Sequence, residues 1–282
     1  MIRPALQDQA FLADVRSANR DDNHFRLWWL GQSGFLVQWK RRHLLLDPYL
    51  SDSLTKKYAA TDKPHIRMTE RVIDPARLDF IDVVTSSHNH TDHLDGETLG
   101  PLLKANPRLA LVAPDANRDF IANRLGVDRT FPVGLRDGES VTVGSFRFRA
   151  VPAKHEEVSP ECLGYVVEFG SWRIYHSGDT LLYEGMADRL RPFAIDVALL
   201  PINGRAPERR VAGNLSGAEA ATLAKEMGAR LVIPCHYEMF EFNTADPAEF
   251  IATAESIGQA YRVLRCGERW ESGAGSSIMT AS

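Results

Sequence analysis

Apolar residues in the first fifty positions fall into short runs with polar breaks. RLWWL (26–30), FLVQW (35–39) and HLLLD (43–47) are separated by Gly31, Gly34 and the Lys40-Arg41-Arg42 turn. Runs of this length and makeup predict a meander of strands. Residues 51–75 are polar with no clear period, a long excursion of the kind that more often serves a site, here as a flap over it. From there strand and helix alternate: FIDVVTSS (80–87) and LALVA (109–113) as strands, with helices over 96–105 and 115–125. SFRFRAV (145–151) alternates as a strand does, and LGYVVEF (163–169) with WRIYH (172–176) predicts a hairpin about Gly170-Ser171. Strands DVALLPI (196–202) and RLVIPC (230–235) enclose a polar loop and a helix starting at Ser216, where Ser216 and Glu219 have capping-box spacing. Asp246, Pro247 and Glu249 predict another helix start. No repeat interrupts the pattern, and only GAGSS (273–277) is a small-residue stretch. Two β-rich halves, each followed by helices, imply two sheets packed face to face with helices outside, in a single domain over 1–282.

Composition narrows the function more than the fold. Of 282 residues, 44% are hydrophobic and 25% charged, as in an ordinary globular chain. The 33 basic against 37 acidic residues, a net charge of -4, weigh against a dedicated nucleic-acid binder. The N-terminal MIRPALQDQAFLADVR interleaves charged with apolar residues, and no apolar run approaches a membrane span, so a cytoplasmic location with no membrane partner is expected. Cys162, Cys235 and Cys266 form no CxxC pair and read as buried thiols.

The sharpest chemical feature is His88-Asn89-His90-Thr91-Asp92-His93, directly after the strand FIDVVTSS. At this composition a His-x-His-x-Asp-His run is a chance event of roughly seven in ten thousand, so accident explains it poorly. Histidines at i and i+2 of an extended segment point the same way, and the following turn can swing Asp92 and His93 beside them, which suits two metal ions side by side.

This motif resembles that of the metallo-β-lactamase fold superfamily, whose pattern adds three later ligands at strand ends. His155 after SFRFRAVPAK, Asp179 after WRIYHSG and His236 after RLVIPC match it in order and context. The resemblance implies a four-layer αββα sandwich of two mixed sheets with helices on both outer faces. It also implies one metal on His88, His90 and His155, a second on Asp92, His93 and His236, and Asp179 bridging them. WWLGQSG (28–34), YHSGDT (175–180), IDVALLPING (195–204) and VIPCHYEMF (232–240) further resemble the metal-dependent hydrolases that include the bacterial L-ascorbate-6-phosphate lactonase. From that lactonase the chain departs in being shorter and in carrying a histidine at 155.

Other residues admit two readings. Asp47 either orients a ligand histidine through a hydrogen bond or is a turn-forming Asp-Pro. His176, three residues before Asp179, fits a supporting partner better than a ligand. Trp28 and Trp29, adjacent in a strand, face opposite ways, and core packing accounts for at least one. Asn203, Arg205, Arg209 and Arg210 follow a strand end, where polar groups can hold an anionic substrate. Arg209 and Arg210 fit a solvated basic turn better, and Arg205 could instead pair with Glu208.

A metal pair activates a bridging water as hydroxide and polarises a carbonyl or phosphoryl oxygen. Asp92 would then ligate and orient, and Tyr237 or a water on the second metal would stabilise developing charge or protonate the leaving group. Mixed imidazole and carboxylate ligation suits zinc, manganese or iron, and the resemblance favours manganese, then zinc. The reading that follows is a hydrolase of a small anionic metabolite, a lactone such as a sugar-acid phosphate lactone or a phosphodiester. A nuclease of the same fold, a redox di-iron protein and a non-catalytic metal-binding module are the alternatives, and homo-oligomerisation is left open.

Overall fold

The computed structural model describes residues 1–18 and 22–273; the small-residue ending beyond Gly273 lies outside them. Thirteen strands are present among the described residues: β1 (Arg26–Gly31), β2 (Gly34–Trp39), β3 (Arg42–Leu46), β4 (Val83–Thr85), β5 (Ala110–Pro114), β6 (Val133–Leu135), β7 (Ser140–Val143), β8 (Phe146–Lys154), β9 (Val158–Phe169), β10 (Trp172–His176), β11 (Val197–Pro201), β12 (Leu231–Cys235) and β13 (Arg269–Glu271). They form a seven-stranded sheet in the order β13-β1-β2-β3-β4-β5-β6 and a six-stranded sheet in the order β12-β11-β10-β9-β8-β7. Both are mixed: β13 through β3 pair antiparallel and β3 through β6 parallel, while β7 through β10 pair antiparallel and β10 through β12 parallel.

Apolar faces bring the sheets together. Phe25 meets Phe169 with ring centroids 5.3 Å apart, and Trp39 meets Phe169 at 5.6 Å. One continuous core runs through both sheets and the helices packed on them. This is the αββα sandwich expected from the sequence. Helix α1 (Asp8–Ala18) was not expected there, because its charges break up the apolar run. Phe11, Leu12, Val15 and Ala18 nonetheless fall on one helical face and are buried, and Trp28 Nε1 donates to Asp14 Oδ2 at 2.8 Å. Trp28 and Trp29 are both fully buried.

The excursion carries helix α2 (Ser53–Tyr58). Helices α3 (Gly96–Ala105), α4 (Arg118–Leu125), α5 (Met186–Leu190), α6 (Gly217–Glu226) and α7 (Ala248–Ser256) follow in the connections. Ser216 and Glu219 close the capping box of α6 reciprocally, and Asp246 Oδ1 accepts from Ala248 N at 2.8 Å at the start of α7. No helix among the described residues is long and apolar enough to cross a membrane.

Strand direction sets the site. Two antiparallel reversals leave β1, β3 and β4 running one way in the first sheet, and β8, β10, β11 and β12 likewise share a direction in the second. Their C-terminal ends deliver Gln32, Asp47 and His88 from one sheet, and His155, Asp179, Asn203 and His236 from the other.

A buried histidine away from that edge gives a stability test. Gln38 Nε2 donates to Val15 O at 2.9 Å and lies 3.0 Å from His43 Nε2, so the imidazole accepts there and is neutral. Burial, opposed by the nearby Asp82, pushes His43 from 6.5 down to about 4. Between those values the unfolded chain binds a proton the folded chain refuses. Stability present above pH 6.5 is therefore lost as pH falls towards 4, by up to about 3 kcal/mol. His43→Gln is expected to flatten this part of the stability profile in denaturant titrations; an unchanged slope would assign the effect to another group.

Candidate metal centre

Strand β4 is buried and leads into Ser86, Ser87 and His88. The chain then turns, with His93 N and Leu94 N donating to His90 O at 3.1 and 2.8 Å. That turn folds Asp92 and His93 back beside His88, whose ring centroid lies 4.1 Å from that of His93. His155 Nε2 lies 3.0 Å from His90 Nδ1, and the His88 and His155 rings are 4.9 Å apart. Asp179 reaches both remaining imidazoles, with Oδ1 3.2 Å from His93 Nε2 and Oδ2 3.2 Å from His236 Nε2. Asp92 Oδ2 lies 3.6 Å from His236 Nε2 and 3.7 Å from His93 Nε2. All seven sequence candidates thus meet at one edge. Their donor atoms form three groups, each within 4.8 Å: His88/His90/His155, His88/His93/Asp179 and Asp92/His93/His236.

Fixed neighbours hold these side chains in place. Asp47, buried and at φ 38°, accepts from His93 Nδ1 at 2.8 Å through Oδ2. Its carboxylate also accepts from Thr85 Oγ1 at 2.8 Å and Ser87 N at 3.1 Å, so it orients a site histidine as well as turning the chain. Gln32, which the sequence reading missed, donates from Nε2 to Asp92 Oδ2 at 2.8 Å and lies 3.1 Å from His236 Nε2. Its sequence signal is its place in WWLGQSG, between Gly31 and Gly34. His176 Nε2 donates to Ser33 O at 2.9 Å and stands outside all three donor groups. A Cβ on Gly178, whose φ is 60°, would collide with Ser87, so this glycine lets the Asp179 loop approach the motif strand.

Burial opposes charge throughout the cluster, and the neighbours decide the balance. At His93 burial is outweighed by Asp179, Asp92 and Asp47, which hold its pKa well above the ordinary value; His236, buried against Asp179 and Asp92, is raised to about 9. Burial, reinforced by facing imidazoles, lowers His88 and His155. Asp92 and Asp179 lie below the usual carboxylate range because the imidazoles more than offset their burial.

The pattern of a β-lactamase superfamily domain matches residues 42–237. The chain belongs to the metallo-β-lactamase superfamily. It is 30% identical over 238 residues to a UPF0173 metal-dependent hydrolase of Caldivirga maquilingensis, covering 84% of this chain and 92% of that one. Among solved structures it is similar to Igni18, a metallo hydrolase from Ignicoccus hospitalis, with a TM-score of 0.65, 23% identity and coverage of 88% and 98%. CmlA, a diiron β-hydroxylase from Streptomyces venezuelae, matches with a TM-score of 0.63 at 17% identity, over 88% of this chain and 53% of that one. The 30% identical relative supports a metal-dependent hydrolase, and the two solved structures show the fold.

The site of this superfamily member opens into a pocket of about 500 Å³ lined by His90, Asp92, His155, Asp179 and His236. Leu54, Lys57, Tyr58 and His65 of the 51–75 excursion line the same pocket, as do Phe120 and Arg124 of α4. No local motif marks these residues, and tertiary folding alone brings them to the metal edge.

Several expected site residues lie elsewhere. Tyr237 is buried, its ring 4.4 Å from Trp29 and its hydroxyl donating to Leu264 O at 2.5 Å. His236, at φ 63°, turns the chain, and Tyr237 packs into the core, so its hydroxyl is not available as a proton donor in the pocket. Arg205 makes a two-pronged pair with Glu219, both contacts 2.7 Å, and not with Glu208. Asn203 is buried, donating to Asn243 Oδ1 at 2.9 Å and accepting from Asn214 Nδ2 at 3.0 Å; it supports the pocket through Asn243 without lining it. Arg209 donates to the carbonyls of Asn203 and Thr244, and Arg210 pairs with Asp62 at 2.6 Å. Arg205→Ala is therefore expected to cost ~0–1 kcal/mol of stability, as exposed pairs do, and to leave KM for anionic substrates within about twofold. A tenfold or larger rise in KM, confined to charged substrates, would return Arg205 to the site.

Divalent ions fit this donor set. Nε2 of His88, Nε2 of His93 and Oδ1 of Asp179 are buried without a hydrogen-bond partner, and these three residues form one of the donor groups. Polar atoms left without such a partner are costly in a protein interior, and divalent cations at these donors would satisfy them, with Asp179 within reach of both donor sets.

Proposed function

We propose that the chain is a two-metal hydrolase of a small anionic molecule, opening a lactone such as a sugar-acid phosphate lactone or cleaving a phosphodiester. The carrying observation is that Asp179 stands within reach of both donor sets, His88/His90/His155 and Asp92/His93/His236, which fits one ion in each with Asp179 between them. Bound there, manganese or zinc, with iron also suited to the donors, would activate water and polarise the scissile oxygen.

The chain's own residues supply position and charge. Asp47 fixes the His93 tautomer by accepting its Nδ1 proton, which leaves Nε2 as the free donor towards the site. Gln32 holds Asp92 against His236, so that carboxylate orients rather than acts as a free base. Lys57 and Arg124 take over the anion-binding role first assigned to Arg205, since both line the pocket. The reading includes no nucleic-acid or membrane partner.

A metal-reconstituted screen against lactones, phosphodiesters and thioesters, with Asp179→Asn beside it, tests the assignment. Elemental analysis is expected to find two ions per active chain. Full activity with one ion, unaffected by chelators, would defeat the two-metal reading. A redox di-iron centre has only the likeness to CmlA in its favour, which at 17% identity concerns the fold alone.

A further inference from the structure

Seven large apolar side chains are exposed among the described residues, and two of them line the pocket that holds the metal-site residues. Phe120, 40% exposed, and Val211, 41% exposed, line the metal pocket itself. Val158, 56% exposed, pairs with Lys154 across the turn that carries His155. Leu182, 42% exposed, follows Leu181, whose backbone N donates to Lys154 O at 2.5 Å. Ile121 is the residue that α4 buries; Phe120 stays exposed on the pocket side, with the Arg124 guanidinium 4.3 Å from its ring centroid.

The apolar surface continues inside. Tyr58 stacks on His65 with centroids 4.2 Å apart and planes 16° from parallel, and His65 meets Phe242 at 4.5 Å. All three line the pocket that holds the metal-site residues. Exposed apolar side chains lining a pocket mark a binding region, and an apolar group on the substrate would gain from burial against them.

We propose that the substrate carries an alkyl chain or aryl ring, which lies along Tyr58, Phe242, Phe120 and Val211 while its hydrolysable carbonyl sits at the metal edge. The substrate class is then an alkyl- or aryl-substituted lactone or ester, which narrows the lactone branch of the hydrolase reading and sets aside its sugar-acid phosphate and phosphodiester substrates. This deepens the hydrolase reading and rests on it for the chemistry. The oxygen of water bonds to the acyl carbon, the acyl C–O bond breaks, and a proton from that water ends on the leaving oxygen.

Two measurements on metal-loaded protein separate the ideas. In turnover of γ-butyrolactone, γ-octalactone and γ-dodecalactone, kcat/KM is expected to rise roughly threefold to fourfold per methylene that becomes buried. In calorimetry without turnover, octanoate is expected to bind at least about tenfold tighter than acetate. The double variant Phe120→Ser/Val211→Ser, changed only at exposed positions, should flatten both dependences. Turnover with no dependence on chain length and no preference for octanoate would overturn the tail while sparing the hydrolase. Octanoate preference without lactone turnover would support the apolar subsite and count against the chemistry. Dimerisation or vesicle binding that the double variant abolishes, with no chain-length preference, would overturn the proposal in favour of an interface.

Discussion

Asp179→Asn is expected to lose more hydrolytic activity than His176→Ala, and to lose bound metal with it. Asp179 touches both donor sets, its two oxygens each 3.2 Å from an imidazole nitrogen, and it is the group proposed to bridge the ions. Replacing one oxygen with an amide nitrogen removes the charge and puts a donor where a ligand atom is needed. His176 contributes a hydrogen bond to Ser33 O from outside the donor groups, and loss of such a supporting contact costs roughly 10- to 100-fold. The decrease for Asp179→Asn should exceed that range, with metal content falling from two ions towards one or none. Circular dichroism and elemental analysis must accompany the rates, because breaking a buried charge pair can itself cost about 3–5 kcal/mol of stability. If His176→Ala proves more damaging with its metal retained, the roles of the two residues are exchanged and the bridging assignment is lost.

The contrast between these residues shows where sequence suffices. The His88–His93 motif is contiguous, so a strand followed by one turn determines its geometry. His155, Asp179 and His236 could be found because each follows an apolar run, and strands of shared direction bring such ends to one edge. Asp47 was open between two readings, and its φ of 38° together with the His93 hydrogen bond shows both at once. What escaped depends on long-range pairing. Strand β13 has three residues and no pattern of its own; it exists because β1 offers it an edge. Arg205 finds Glu219 across a loop and a helix turn rather than its near neighbour Glu208. Tyr237 follows the candidate ligand His236 by one position, yet the left-handed backbone at His236 leaves it in the core. Lys57 and His65 reach the pocket from the 51–75 excursion, whose polar, aperiodic makeup marks the segment but not the residues, and Arg124 from an outer helix where no pattern marks it.

Asp47→Ala should combine the largest stability loss with a loss of metal affinity, because this one carboxylate serves the fold and the site together. It is fully buried and accepts from His93 Nδ1, Thr85 Oγ1 and the Ser87 amide. Alanine leaves three buried donors unsatisfied, each worth about 1–3 kcal/mol, although relaxation and water entry make the sum less than additive. It also strips a neighbouring charge from His93, and removing one partner of a buried pair typically costs about 3–5 kcal/mol. That figure is the expected decrease in unfolding free energy for metal-free protein. In the loaded protein the freed His93 ring can rotate or change tautomer, and ion affinity should fall about 10- to 100-fold in competition with a chromophoric chelator. Asp47→Asn separates the two effects. Its amide oxygen can still accept from either His93 or Ser87, but its NH₂ group then faces the other donor, so stability is partly restored while metal affinity stays low. An Asp47→Asn protein that binds both ions as tightly as wild type would show that the second carboxylate oxygen and its charge do not govern the ligand ring.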